Sequence, residues 1–121
     1  MNFQDAIQQG FRNYFNFSGR ASRSEFWYWV LFTFVLSILI SVADSILVTG
    51  GVLSGLLALA MFIPNISITV RRLHDIDKSG WWILFYFIPL VGWIFILIWE
   101  CTKGTDGPNR FGPNPLSLSI N

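Results

Sequence analysis

The sequence predicts an all-α, polytopic membrane protein that forms one domain over residues 1–121, with three transmembrane helices and an N-terminal amphipathic interfacial helix. The 121 residues are 53% hydrophobic and only 12% charged, whereas a soluble domain carries roughly 25% charged residues. Three apolar runs approach the roughly 20 residues that a helix needs to cross a bilayer. The charged residues lie almost entirely outside these runs. Residues 26–70 hold a single charged residue, Asp44, and residues 79–99 hold none.

Composition also excludes several classes of function. The net charge of +1 provides no basic field for nucleic acid. Cys101 is the single cysteine, so the chain cannot form an internal disulfide, and a thiolate metal site has no support. We expect no metal and no cofactor. The first 25 residues lack the apolar core of a cleavable signal, so the first apolar run is expected to remain in the membrane.

Residues 3–16 have the pattern of an interfacial helix. Apolar side chains recur at helical spacing on one face and polar side chains on the other. The apolar face comprises Phe3, Ile7, Phe11, Tyr14 and Phe15. Such a helix is expected to lie in the headgroup layer; the alternative is packing on the cytoplasmic ends of the spans, and the two arrangements are compatible. After it, Ser22 and Glu25 predict a capping box at the start of the first span.

The predicted spans cover residues 26–48, 52–70 and 81–99. The first two are joined by the short link Thr49-Gly50-Gly51, so they form a helical hairpin. At 1.5 Å per residue, Asp44 lies about 27 Å from Phe26. This distance predicts a helix-exit carboxylate at the opposite interface rather than a proton site in the middle of the membrane.

Lysine and arginine placement predicts the orientation of the spans. Basic residues precede the first span and follow the second, and none lies in the link between them, so both basic segments are expected in the cytoplasm. Three full spans then place the turn-rich tail, residues 100–121, outside. Pro89 in the middle of the third run leaves a re-entrant turn as the alternative, which returns the tail to the cytoplasm. The tryptophans at both ends of the run favour a full span.

Three ordered motifs resemble one known family. They are residues 17–27 (FSGRASRSEFW), the pair RRLHD and SGWW at residues 71–75 and 79–82, and the glycine- and proline-rich residues 104–115. Together they resemble small bacterial inner-membrane proteins catalogued as domain of unknown function family 805. The resemblance covers nearly the whole chain. It implies a protein of the bacterial cytoplasmic (inner) membrane and implies no activity, because the family has no established one.

Four arginines are the candidate ligands for lipid phosphate or another anion. Planar guanidinium groups suit phosphate, and basic clusters on the cytoplasmic side indicate anionic-lipid sites. The four are Arg20, Arg23, Arg71 and Arg72. The alternative is that they only set the topology.

The remaining polar residues of the predicted cytoplasmic face form a second cluster. It consists of Glu25, His74, Asp75 and Lys78. His74 and Asp75 have the chemistry of a general base with an orienting acid, but a single histidine is poor evidence for catalysis or for a metal site. We therefore predict no catalytic residue.

Two prolines and an asparagine suggest a cavity. At helical rise, Pro64, Asn65 and Pro89 fall roughly 10–12 Å below the cytoplasmic surface, and kinked helices with freed carbonyls can line a cavity. The alternative is two ordinary membrane prolines.

These features predict an integral membrane protein that is a non-enzymatic accessory or envelope component. Its cytoplasmic face would contact anionic lipid headgroups, and its partners would be membrane lipids together with a larger membrane protein or a second copy of the chain. The alternative is a self-assembling transporter or channel for a small solute, which needs several copies because three helices enclose little space.

Overall fold

Helices make up most of the chain. The computed structural model describes residues 2–115, so residues 116–121 of the predicted tail lie outside the described part. In chain order the elements are α1 (Phe3–Arg12), α2 (Arg23–Leu47), α3 (Val52–Asp75), a 3₁₀ helix (Gly80–Phe87) and α4 (Val91–Cys101). Between residues 2 and 115, an isolated bridge of Asn109 with Gly112 is the only pairing of extended backbone. The all-α class is confirmed.

Within residues 2–115, α2 and α3 are the two helices that are long and apolar enough to cross a bilayer. Their 25 and 24 residues reach about 37 and 36 Å at 1.5 Å per residue. As expected, Ser22 Oγ accepts the Glu25 amide at the start of α2. We call the end of the molecule where α2 begins and α3 ends the junction side.

Asp44 caps α3 at the end of the α2–α3 hairpin that lies opposite the junction side. Its carboxylate accepts the amides of Leu53 and Ser54 at 2.9 and 2.8 Å, and the Ser54 hydroxyl at 2.6 Å. Because α3 follows Gly51, which has no side-chain cap, Asp44 of α2 supplies the acceptors that the first amides of α3 need. Asp44 therefore has the helix-exit position expected of it.

Helix α1 packs across α2 through its small residues. Ala6 and Gly10 are buried, and a Cβ at Gly10 would collide with the Trp29 ring. The predicted apolar face is only partly covered, since Phe3 and Phe11 are each nearly half exposed. The helix thus packs on the spans as expected and leaves phenylalanine rings outward, while its place in the headgroup layer stays a prediction.

The third apolar run folds back on itself. The 3₁₀ helix and α4 are separated by a turn at Leu90, which has φ 63° and ψ −69°. The Trp82 and Trp99 rings, near the two ends of the run, lie with centroids 5.5 Å apart, and the Trp93 indole donates to the Tyr86 carbonyl. This geometry differs from the single helix that a full span over residues 81–99 requires, so three spanning helices are not confirmed, and the start of the tail lies on the junction side.

Candidate functional site

Five charged side chains from three separate segments meet on the junction side. Arg20 precedes α2, Glu25 lies in its first turn, and Arg71, Arg72 and Asp75 lie in the last turns of α3. Asp75 pairs with Arg20 at 3.0 Å and with Arg72 at 2.7 Å, and Glu25 pairs with Arg71 at 2.7 Å. We call these five residues the polar junction.

The tail completes the polar junction with backbone carbonyls. Arg20 donates to the carbonyls of Thr105 and Gly107 at 2.6 and 2.7 Å. Arg72 donates to the carbonyls of Glu100, at 3.1 Å, and Thr102. The backbone carbonyls of the tail therefore accept hydrogen bonds from two arginines. The sequence of the tail indicated only a series of turns.

Close approach of the tail requires a glycine. The Thr105 amide donates to the Asp75 carbonyl at 2.7 Å, and a Cβ at the preceding Gly104 would collide with the Asp75 carboxylate. Gly104 is thus the residue that lets the tail backbone lie against α3.

Burial sets the electrostatics of the polar junction. The side chains of Arg20 and Arg72 are 1% and 0% exposed, and that of Arg71 is 3% exposed. Buried guanidinium groups are tolerated only with counterions and hydrogen-bond acceptors around them. Those partners are present, apart from Arg71 Nη2, which makes no hydrogen bond within residues 2–115. These ion pairs and hydrogen bonds hold α2, α3 and the tail together.

His74 and Lys78 are engaged in separate contacts beside the polar junction. The His74 ring stacks on Phe111 at 3.9 Å, and its Nδ1 bonds the Gly19 carbonyl at 2.9 Å. The Lys78 ammonium lies over the Trp82 and Trp99 rings at 5.5 and 4.8 Å. Lys78 therefore contacts both arms of the hairpin that the 3₁₀ helix and α4 form, near its open end. We call this pair of helices the re-entrant hairpin.

Arg23 is the exposed member of the four predicted anion ligands. It lies in a shallow pocket of about 400 Å³ that Ser24, Trp27, Tyr28 and Cys101 also line. Its guanidinium donates one hydrogen bond, from Nη1 to the Cys101 carbonyl at 3.2 Å. The structure thus separates Arg23, which is accessible, from the three arginines of the polar junction.

The predicted cavity residues do not come together. Pro64 is buried, and the Ala60 carbonyl, the acceptor that Pro64 frees by lacking an amide hydrogen, receives the Tyr14 hydroxyl instead. Pro89 is exposed next to the turn of the re-entrant hairpin. Asn65 alone lines a groove, and its Oδ1 accepts the Trp29 indole at 2.8 Å. Pro64 and Pro89 do not line this groove, and a cavity floored by both prolines stays a prediction.

The sequence did not predict the contact between the buried Glu100 and Tyr86, which is 42% exposed. The Tyr86 hydroxyl donates to Glu100 Oε1 at 3.1 Å. Burial raises the pKa of Glu100 to about 7, against the opposing effects of the Tyr86 hydroxyl and the Arg72 charge. Glu100 directly follows the third apolar run, and an acid at that position was the available signal.

Comparison with known proteins supports the resemblance seen in the motifs. The model of a family described as "Protein of unknown function (DUF805)" matches residues 14–113. The chain is 44% identical over 105 residues to inner membrane protein YhaI of Escherichia coli K12, covering 86% of this chain and 89% of that protein. It is 42% identical over 109 residues to inner membrane protein YhaH of the same strain, covering 86% and 90%. No solved structure matches the chain.

Proposed function

We propose that this protein, which belongs to the DUF805 family and is a protein of the inner membrane, is a non-enzymatic membrane component. In this proposal it binds anionic lipid headgroups at Arg23. The description of the family assigns no function, so the proposal rests on geometry. The observation that carries it is an accessible arginine in a shallow pocket, beside three arginines whose charges are already paired.

The pocket has the features expected of a headgroup site. Arg23 offers guanidinium donors beyond its one bond to Cys101, and arginine suits phosphate because its donors form a planar fork. Trp27 and Tyr28 flank it, and aromatic rings of this kind are favoured at the level of lipid headgroups. In this proposal Arg20, Arg71 and Arg72 hold the fold together and do not contact lipid.

The orientation of the molecule supports an anionic ligand. The junction side carries Arg20, Arg23, Arg71 and Arg72, whereas the link 49–51 at the other end carries no Lys or Arg. By the positive-inside rule the junction side faces the cytoplasm, where the leaflet carries negative lipids.

The non-enzymatic part of the proposal follows from how the candidate base is used. His74 is the only histidine, and its ring is stacked on Phe111 and bonded to a backbone carbonyl. Asp75, its candidate orienting acid, binds two arginines instead. Both groups therefore have structural partners in place of a substrate.

Lipid co-purification tests the headgroup site. A basic residue near the surface contributes about 1 kcal/mol to binding of anionic lipid, so Arg23→Gln is expected to lower retained phosphatidylglycerol about fivefold. Retained lipid per mole of purified protein is measured by mass spectrometry. Arg110→Gln is the matched control, because Arg110 is exposed and already pairs with Asp77. Equal phosphatidylglycerol in the two variants would contradict the proposal.

A further inference from the structure

A long groove runs between the two spanning helices. It has a volume of about 650 Å³, within the range of about 300–1,000 Å³ that is usual for ligand pockets. Val30, Phe34 and Met61 contribute apolar walls, and Ser37 and Ala58 leave space because their side chains are small. Its walls are mostly apolar, so the groove suits an apolar ligand better than water.

The groove exists because the third apolar run turns back. Ile83 and Tyr86 of the 3₁₀ helix line it, but α4 has only 11 residues and reaches about 16 Å at helical rise. That length is about half of the hydrocarbon core of roughly 30 Å. The re-entrant hairpin is thus too short to cover α2 and α3 along their full length.

The groove and the Arg23 pocket lie on one face of α2. The residues that line the two follow each other at alternating spacings of four and three, which keeps side chains on one side of a helix. They are Arg23, Trp27, Val30, Phe34, Ser37 and Ser41.

Trp27, which lines the Arg23 pocket, and Tyr86, which lines the groove, both contact Glu100. The Trp27 indole donates to the Glu100 carbonyl, and the Tyr86 hydroxyl donates to the Glu100 carboxylate. Glu100 thus links a residue of the Arg23 pocket to a residue of the groove.

We infer that the groove holds an acyl chain of the anionic phospholipid whose phosphate binds Arg23. The inference rests on the proposed function and adds the lipid tail to it. Val30, at the near end of the groove, lies about 10 Å from Arg23 along α2, within the roughly 15 Å that one acyl chain occupies in a leaflet, so a chain whose phosphate binds Arg23 reaches the groove. The positive charge of Arg23 attracts the lipid phosphate, and the apolar walls of the groove suit the acyl chain.

Native mass spectrometry of the detergent-solubilised protein tests the inference with two probes, dipalmitoyl- and dihexanoyl-phosphatidylglycerol. The headgroup is the same, so a site that binds only phosphate binds both alike. If the groove takes the chain, the long-chain probe binds about tenfold more tightly, which corresponds to burying about two methylene groups away from water. Ala58→Phe places a ring in the groove and is expected to abolish this difference.

A matched control distinguishes groove filling from general damage. Leu59→Phe adds a ring at the neighbouring position of α3, which is 74% exposed and does not line the groove, so it should keep the chain-length preference. If the unmodified protein binds both probes equally but Arg23→Gln weakens both, the groove inference fails and the headgroup site stands. If Arg23→Gln changes neither, both proposals fail.

Discussion

Replacing Asp75 by asparagine is the sharpest test of the polar junction. Asp75 is the shared counterion of Arg20 and Arg72, whose side chains are 1% and 0% exposed. Asn keeps the shape of the side chain but removes its charge. Two buried guanidinium groups then lose the carboxylate that neutralises them, and their remaining partners are neutral carbonyls.

The expected cost follows from the burial of the pair. Removing one partner of a buried ion pair destabilises a protein by about 3–5 kcal/mol, because the remaining charge is left uncompensated. This corresponds to a loss of about a hundred- to several-thousand-fold in the folding equilibrium constant. The free energy of unfolding is measured by equilibrium titration with SDS in mixed micelles, followed by tryptophan fluorescence.

Asp77→Asn provides the matched control two residues away. Asp77 pairs with Arg110, but both side chains are about half exposed, so the same substitution should change the free energy of unfolding by less than about 1 kcal/mol. A double variant, Asp75→Asn with Arg72→Gln, should cost less than the sum of its single variants, because it also removes one unpaired charge. If Asp75→Asn costs no more than Asp77→Asn, the polar junction does not hold the fold together.

Three further outcomes are expected. Gly10→Leu should destabilise the protein by about 1–3 kcal/mol in the same titration, because the new side chain collides with an indole of α2; Gly55→Leu, where the space is open, should not. Cys101, which is exposed, should react with an impermeant maleimide from the side opposite to a cysteine placed at Thr49, whereas three full spans would put both on one side. Because the pKa of Glu100 is raised from 4.5 to about 7, its protonated form stabilises the fold. Glu100 should therefore make stability fall by at most about 3 kcal/mol as pH rises from about 4.5 to 7, and Glu100→Gln should reduce the pH dependence of stability by that amount.

The hydropathy of the chain was sufficient to predict α2 and α3. A long apolar run without charge has few alternatives to a spanning helix, and Ser22 marks the start of α2 because its hydroxyl has an amide within reach. The membrane class and the family followed from the same patterns. These predictions are local, in the sense that each depends on residues close together in the chain.

The role of the arginines could not be predicted in the same way. A guanidinium on the predicted cytoplasmic face looks alike in the sequence whether it contacts lipid or a carbonyl 85 residues away, as Arg20 does with Thr105. The polar junction depends on contacts between segments, and no periodicity reports them. Arg23 lies three residues from Arg20 in the chain, yet it is accessible while Arg20 is buried.

The path of the third apolar run is decided by the same long-range contacts. Tryptophans at both ends and Pro89 in the middle are compatible with either a kinked span or a re-entrant turn. The hydrogen bonds that two arginines donate distinguish between these two paths. Arg20 and Arg72 sit on the junction side and donate to carbonyls of residues 100–107. Carrying the tail across the membrane would strip those acceptors from buried guanidinium groups, each loss costing several kcal/mol. The polar junction therefore favours the re-entrant turn over a full span, and the short hairpin formed by that turn leaves open the groove on α2 and α3.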